Sequence, residues 1–106
     1  ALNGAGSLDA TVLGNLNKLR QRAGVPDVSI AAVNSKFLID ERGRELYWEA
    51  HRRQDLIRFK MLEGSQYVWN WKGSVNGSAL PSTINLYPIP YDQLVMNPNL
   101  KQNPGY

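Results

Sequence analysis

The sequence predicts a mainly α-helical fold, and three observations support this prediction. Apolar residues recur at helical spacing near the start, a charged central stretch has apolar borders, and residues 86–106 contain four prolines and almost no charge. A chain of 106 residues with 42% apolar content suits one small domain or a piece of a larger one. The fold should therefore be helical first and irregular toward its end.

The first predicted helix lies within SLDATVLGNLNKLRQRAG. Ser7 is a plausible N-cap, and Gly24 is a plausible stop because glycine readily adopts the left-handed conformation that ends helices. The following apolar residues recur at the spacing of one helix face: Leu8, Val12, Leu16, Leu19 and Ala23. This helix is therefore expected to be amphipathic.

The residues from about 34 to about 62 predict one or two further helices after the break at Pro26. On a helical wheel drawn through residues 37–59, charged residues fall in one sector of about 80° that is bordered by apolar residues. These charged residues are Arg42, Glu45, Glu49 and Arg52. Their order allows pairing, so we expect a partly buried structural ion network.

A catalytic interpretation of this stripe is disfavoured. Glu45 and Glu49 have the spacing of a glycoside-hydrolysis carboxylate pair, but the flanking arginines would keep both ionised and leave no proton donor. His51 is the only histidine, cysteine is absent, and no metal-ligand spacing or phosphate-binding loop occurs. We therefore predict no enzymatic activity, no cofactor and no metal site.

The stretch YVWNWKGSVNG changes to a two-residue alternation. Tyr67, Trp69 and Trp71 would share one face of a strand, and Asn76 with Gly77 indicates a turn, so at most a short hairpin is expected. The shared aromatic face predicts either a cover over the core or a platform on which sugar rings stack. Both interpretations stay open at this point.

The ending LYPIPYDQLVMNPNLKQNPGY is stiffened by proline. Pro88 and Pro90 cannot donate to a sheet ladder, so the LYPIP segment is restricted to an edge strand or a polyproline-like conformation. A short helix from Tyr91 to about Met96 can follow. We expect residues 86–106 to act as a strap that packs mainly on its own helical body, with contact to a partner as the alternative.

The formal charge of +3 does not indicate a nucleic-acid interface. Arg44, Arg53 and Arg58 are interleaved with Glu41 and Asp55, whereas nucleic-acid binding usually needs an unopposed basic face. No run of about 18 apolar residues occurs either. Nucleic-acid binding and a membrane-spanning segment are both disfavoured for this chain.

Two segments resemble the SusD/RagB family of Bacteroidetes outer-membrane lipoproteins. LIDERGRELYWEAHRRQDLIRF, at residues 38–59, is similar to the family's late helix signature, and residues 86–106 look like its Pro-Ile-Pro and Asn-Pro-Gly-Tyr ending. NKLRQRAGVPD, at residues 17–27, is similar to the preceding helix. The two independent motifs occur in the order that the family has.

This resemblance implies that the chain is the C-terminal part of a SusD-like, tetratricopeptide-like helical fold. We then expect one region over 1–106, helical over 1–63, variable over 64–85 and strap-like over 86–106. The family lipoproteins bind glycans or other nutrients at the cell surface, are anchored by an N-terminal lipid and work with a SusC-like TonB-dependent transporter. The resemblance implies that this anchor belongs to a part of the full-length protein other than this chain.

Two further expectations concern the chain by itself. The alternative to nutrient binding is a structural or scaffolding helical fragment with no ligand site of its own. Helix faces that missing parts would cover also predict self-association.

Overall fold

The computed structural model describes residues 9–106 and is mainly helical, as predicted. The helices are α1 (Ala10–Arg22), α2 (Ser35–Glu45), α3 (Arg52–Arg58) and α4 (Tyr91–Met96), with short 3₁₀ helices at Ile30–Ala32 and Ser82–Asn85. No residue from 9 to 106 belongs to a strand, although Gly64 and Leu80 form an isolated antiparallel bridge. None of the described helices is long and apolar enough to cross a membrane.

The start of α1 is capped by an aspartate. The side chain of Asp9 accepts a hydrogen bond from the Thr11 backbone N–H at 3.2 Å, which satisfies one of the donors that a helix start leaves without an intrahelical partner. Ser7, the predicted cap, lies outside the described residues, as does Leu8 of the predicted apolar face.

The end of α1 confirms the predicted stop at Gly24. Gly24 has a φ of +71°, and its N–H donates to the Gln21 carbonyl at 3.0 Å. The Val25 N–H donates to the Arg20 carbonyl at 3.0 Å. This pair of bonds is the Schellman motif, in which a left-handed residue lets the chain turn back over the last helical carbonyls.

Polar side chains tie α1 to the segments that follow it. Arg20 pairs with Glu41, and Arg22 pairs with Glu45, so each ion pair joins the last part of α1 to α2. The Asn17 amide accepts from the Val28 N–H at 2.9 Å and donates to the Val28 carbonyl at 3.1 Å. These contacts fix the connection between the two helices.

A single helix through residues 37–59 is wrong, and the two-helix alternative is correct. The helix α2 ends at Glu45, and Trp48 and Ala50 then adopt left-handed φ values of +69° and +59°. A right-handed helix cannot pass through such residues. The helical-wheel projection assumed one continuous helix, so its placement of the four charged residues in one sector does not apply to this chain.

The chain packs as two compact units. The first extends to Tyr47, and the second is Trp48–Tyr106. Ile39 is completely buried in the first unit, while Leu56, Leu62 and Tyr67 are buried in the second. The predicted subdivision at 63 and 85 is not the boundary of these units and stays a prediction.

The last residues of the chain fold back onto the LYPIP segment and satisfy its backbone. Because prolines have no N–H, Ile89 is the sole donor between Pro88 and Pro90. The Gln102 amide accepts from the Ile89 N–H at 2.8 Å and donates to the Ile89 carbonyl at 3.0 Å. Asn103 Nδ2 donates to the Tyr87 carbonyl at 2.7 Å. The side chains of the tail thus replace the ladder of a neighbouring strand.

Replacing Gln102 by leucine tests this closure. We expect Gln102→Leu to lower the free energy of unfolding by about 1–2 kcal/mol, because both backbone groups of Ile89 lose their partner. Amide hydrogen exchange should speed up at Ile89. Lys101→Leu, a change at the neighbouring exposed residue, should leave the Ile89 exchange rate unaltered; equal rates in both variants would show that the Gln102 bonds contribute nothing.

Candidate functional site

The stretch predicted as a strand is an irregular loop. Trp71, Gly73 and Gly77 have left-handed φ values of +73°, +67° and +78°, so the chain turns repeatedly and cannot keep a two-residue alternation. The only β-type pairing here is the Gly64 bridge to Leu80, in which the Gly64 N–H donates at 2.8 Å. We call residues 64–80 the aromatic loop.

The centre of the aromatic loop is the buried side chain of Lys72, which is only 2% exposed. Its Nζ donates to three carbonyl oxygens, those of Tyr67 at 2.6 Å, Gly64 at 3.3 Å and Met61 at 3.4 Å. An ammonium group has three donors, so all of them are used here. The Lys72 Nζ also lies 5.1 Å from the centroid of the Trp69 ring, within the range of a cation–π interaction.

The backbone of Lys72 holds the other side of the loop. Its carbonyl accepts from the Ser78 N–H at 2.6 Å and from the Ser78 hydroxyl at 3.3 Å. The Lys72 N–H donates to the Trp69 carbonyl at 3.1 Å. Through these bonds, Lys72 links the beginning, middle and end of the loop. Burial of the ammonium also lowers the pKa of Lys72 below its ordinary value of 10.5, because removal from water disfavours the charged form.

Trp71 is presented by this loop at the surface. Its side chain is 75% exposed, and its backbone N–H donates to the Val75 carbonyl at 3.2 Å. A left-handed conformation is uncommon for a bulky residue and costs free energy, so the surrounding contacts must hold it. Lys72, the next residue, supplies those contacts.

The structure does not place Tyr67, Trp69 and Trp71 on one face. Tyr67 is 8% exposed, and its hydroxyl accepts from the Arg52 guanidinium at 2.7 Å. Trp69 packs on Tyr67 with ring centroids 5.5 Å apart and is 38% exposed. The prediction that the three side chains share one strand face was wrong. Of the three residues, Trp71 is the one whose side chain is mostly exposed to solvent.

The predicted ion network of Arg42, Glu45, Glu49 and Arg52 is divided between the two compact units. Glu45 pairs with Arg22 of α1, and Arg52 contacts the ring and hydroxyl of Tyr67. Glu45 and Glu49 are both exposed, so their predicted burial is wrong. The complete four-residue network stays a prediction.

An open groove lies between α1 and α2 within the first unit. Its volume is about 480 Å³, and Arg42 and Arg44 are among the charged residues that line it. The apolar residues that line it are Leu16, Leu19, Ala23, Val25, Leu38 and Leu46. These include three residues of the predicted α1 face, which confirms the amphipathic character of that helix.

The role of Lys72 was not predicted from the sequence. A signal was present, since Lys72 is the only charged residue between Glu63 and Asp92 and stands between aromatic and glycine residues. Its burial follows from the turns around it, which the alternation pattern did not reveal. His51 is exposed, and no cluster of metal-ligating residues occurs among residues 9–106.

Comparison with known proteins identifies the family. The model of the SusD family matches residues 1–106. The chain belongs to the SusD family. It is also 44% identical over 99 residues to the starch-binding protein SusD of Bacteroides thetaiotaomicron, an alignment that covers 92% of this chain. The chain spans only 17% of that relative's length. The predicted family and the predicted SusD-like helical fold are confirmed.

Proposed function

We propose that this chain is part of a cell-surface protein that binds a glycan and takes part in nutrient uptake. The single observation that carries the proposal is the 44% identity to a starch-binding protein of the same family. The proposed role is binding and not catalysis. Starch or a related α-glucan is the first ligand to test.

The proposal extends to partner and location. The full-length protein would be anchored in the outer membrane by an N-terminal lipid and would work with a SusC-like TonB-dependent transporter. Family membership supports both statements, while this chain supplies the part that contains the aromatic loop and the strap.

Retention on insoluble starch tests the ligand. We expect the full-length protein to bind starch granules and to be released by soluble maltooligosaccharides, while it passes through cellulose. Crosslinking in intact cells should recover a TonB-dependent transporter with it. Failure to bind any of a panel of neutral glycans would contradict the proposal and favour the structural, ligand-free alternative.

A further inference from the structure

The backbone that carries the exposed indole of Trp71 is held by hydrogen bonds within the aromatic loop. Its left-handed φ of +73° is held by the contacts of its neighbours, since Lys72 is bonded on both its side chain and its backbone. The turn that follows is closed by the Gly77 N–H, which donates to the Ser74 carbonyl at 3.0 Å. A loop whose backbone is already fixed loses little backbone entropy when a ligand binds.

The aromatic loop that carries Trp71 exposes no charged side chain. Lys72 is the sole charged residue from 64 to 91, and its ammonium is buried against carbonyl oxygens. The exposed polar residues close to Trp71 in the sequence carry amides and a hydroxyl, and they are Asn70, Asn76 and Ser74. This loop therefore offers no exposed charge of its own to attract an anionic ligand, a nucleic acid or an acidic peptide.

A flat apolar ring with neutral hydrogen-bonding groups beside it matches the chemistry of a neutral sugar. One face of a pyranose ring carries C–H groups that pack on an aromatic side chain, while its hydroxyls bond to amides and hydroxyls. We propose that Trp71 is a glycan-stacking residue, with Asn70, Ser74 and Asn76 placed to bond the hydroxyls of the same ligand. This inference rests on the proposed function and assigns a ligand-contacting residue within this chain.

Calorimetric titration of the full-length protein with maltoheptaose tests the inference. We expect Trp71→Ala to weaken binding by about tenfold, because the stacking face is lost, and Trp71→Phe to restore most of the affinity. Trp48→Ala is the matched control, since Trp48 is also a tryptophan with a left-handed φ, +69°, and is 88% exposed. Affinity should be unchanged in that control.

A second measurement reads the site directly. The indole N–H signal of Trp71, assigned by its loss in Trp71→Ala, should shift on addition of maltoheptaose, while that of Trp48 should not. If the wild-type protein binds maltoheptaose but neither the Trp71 signal nor the affinity of Trp71→Ala changes, the stacking site is refuted and the proposed function stands. If the wild-type protein binds no neutral glycan, both proposals fail.

Discussion

Replacement of Lys72 by methionine is expected to lower the free energy of unfolding of the second unit by about 1–3 kcal/mol. Methionine retains an unbranched, flexible chain that can fill the same space. The loss therefore comes from three carbonyl groups, those of Met61, Gly64 and Tyr67, which lose a common donor. Urea denaturation followed by tryptophan fluorescence measures the effect, and exchange of the Ser78 amide should become faster.

The control for Lys72→Met is Lys101→Met, which removes an exposed lysine from the same unit. We expect a change within about 0.5 kcal/mol there. If both variants unfold at the same urea concentration as the wild type, the buried ammonium does not hold the loop, and water must satisfy the carbonyls instead.

Lys72 also makes the free energy of unfolding depend on pH, and the direction of its pKa shift fixes the sign of that dependence. Burial lowers the pKa of Lys72 in the folded chain, whereas the unfolded chain keeps the ordinary value of 10.5. At a pH between the folded-state pKa and the unfolded-state pKa of Lys72, the unfolded chain binds more protons than the folded chain. The contribution of Lys72 to the free energy of unfolding therefore rises with pH. The stability difference between wild type and Lys72→Met should therefore increase as pH approaches 10.5.

Truncation of Ile39 is the second large effect that we expect. Ile39 is 0% exposed, so Ile39→Ala should cost about 2–5 kcal/mol through lost burial and the cavity that remains. Among residues 9–47 only Val33 and Ile39 are buried, so Ile39 supplies a large share of the buried apolar side chains described there. Hydrogen exchange of the α2 amides, together with urea denaturation, should show the first unit opening.

A graded pair of variants checks that packing is the cause. Ile39→Val removes one methylene group and should cost about 0.5–1.5 kcal/mol. Val12→Ala, at an exposed position of α1, should have little effect. Equal destabilisation by Ile39→Val and Ile39→Ala would be inconsistent with a loss that grows with the volume removed.

The parts of the fold that sequence predicted are those with local signals. Gly24 ended α1 because glycine accepts the left-handed conformation, and α4 occupies Tyr91–Met96 as expected. The break after Glu45 had no such signal. Gly43, which was the weakest helix former in the stretch, lies inside α2, while the chain turns at Trp48 and Ala50. Tertiary contacts must select those conformations, since local preference opposes them.

In the aromatic loop, too, the sequence pattern did not predict conformations that depend on contacts between distant residues. Alternating aromatics at Tyr67, Trp69 and Trp71 satisfied the pattern of a strand, but left-handed residues at Trp71 and Gly73 place these side chains in different environments. The aromatic residue types correctly indicated contact between rings in this stretch, since Tyr67 and Trp69 pack on each other. The different exposures of the three rings go with the turns around Lys72, whose side chain bonds to a carbonyl 11 positions away in the sequence.

The way in which the strap satisfies its backbone also protects the protein from uncontrolled assembly. Leu86 and Tyr87 are exposed apolar residues in an extended stretch, the kind of segment that recruits other chains through free backbone groups. Here the carbonyls of this stretch already accept hydrogen bonds from side chains at the end of the chain. The Leu86 carbonyl accepts from Tyr106, that of Tyr87 from Asn103, and that of Ile89 from Gln102. With prolines on both sides of Ile89, no ladder can propagate along this stretch, so it can expose apolar surface without seeding amyloid-like stacking.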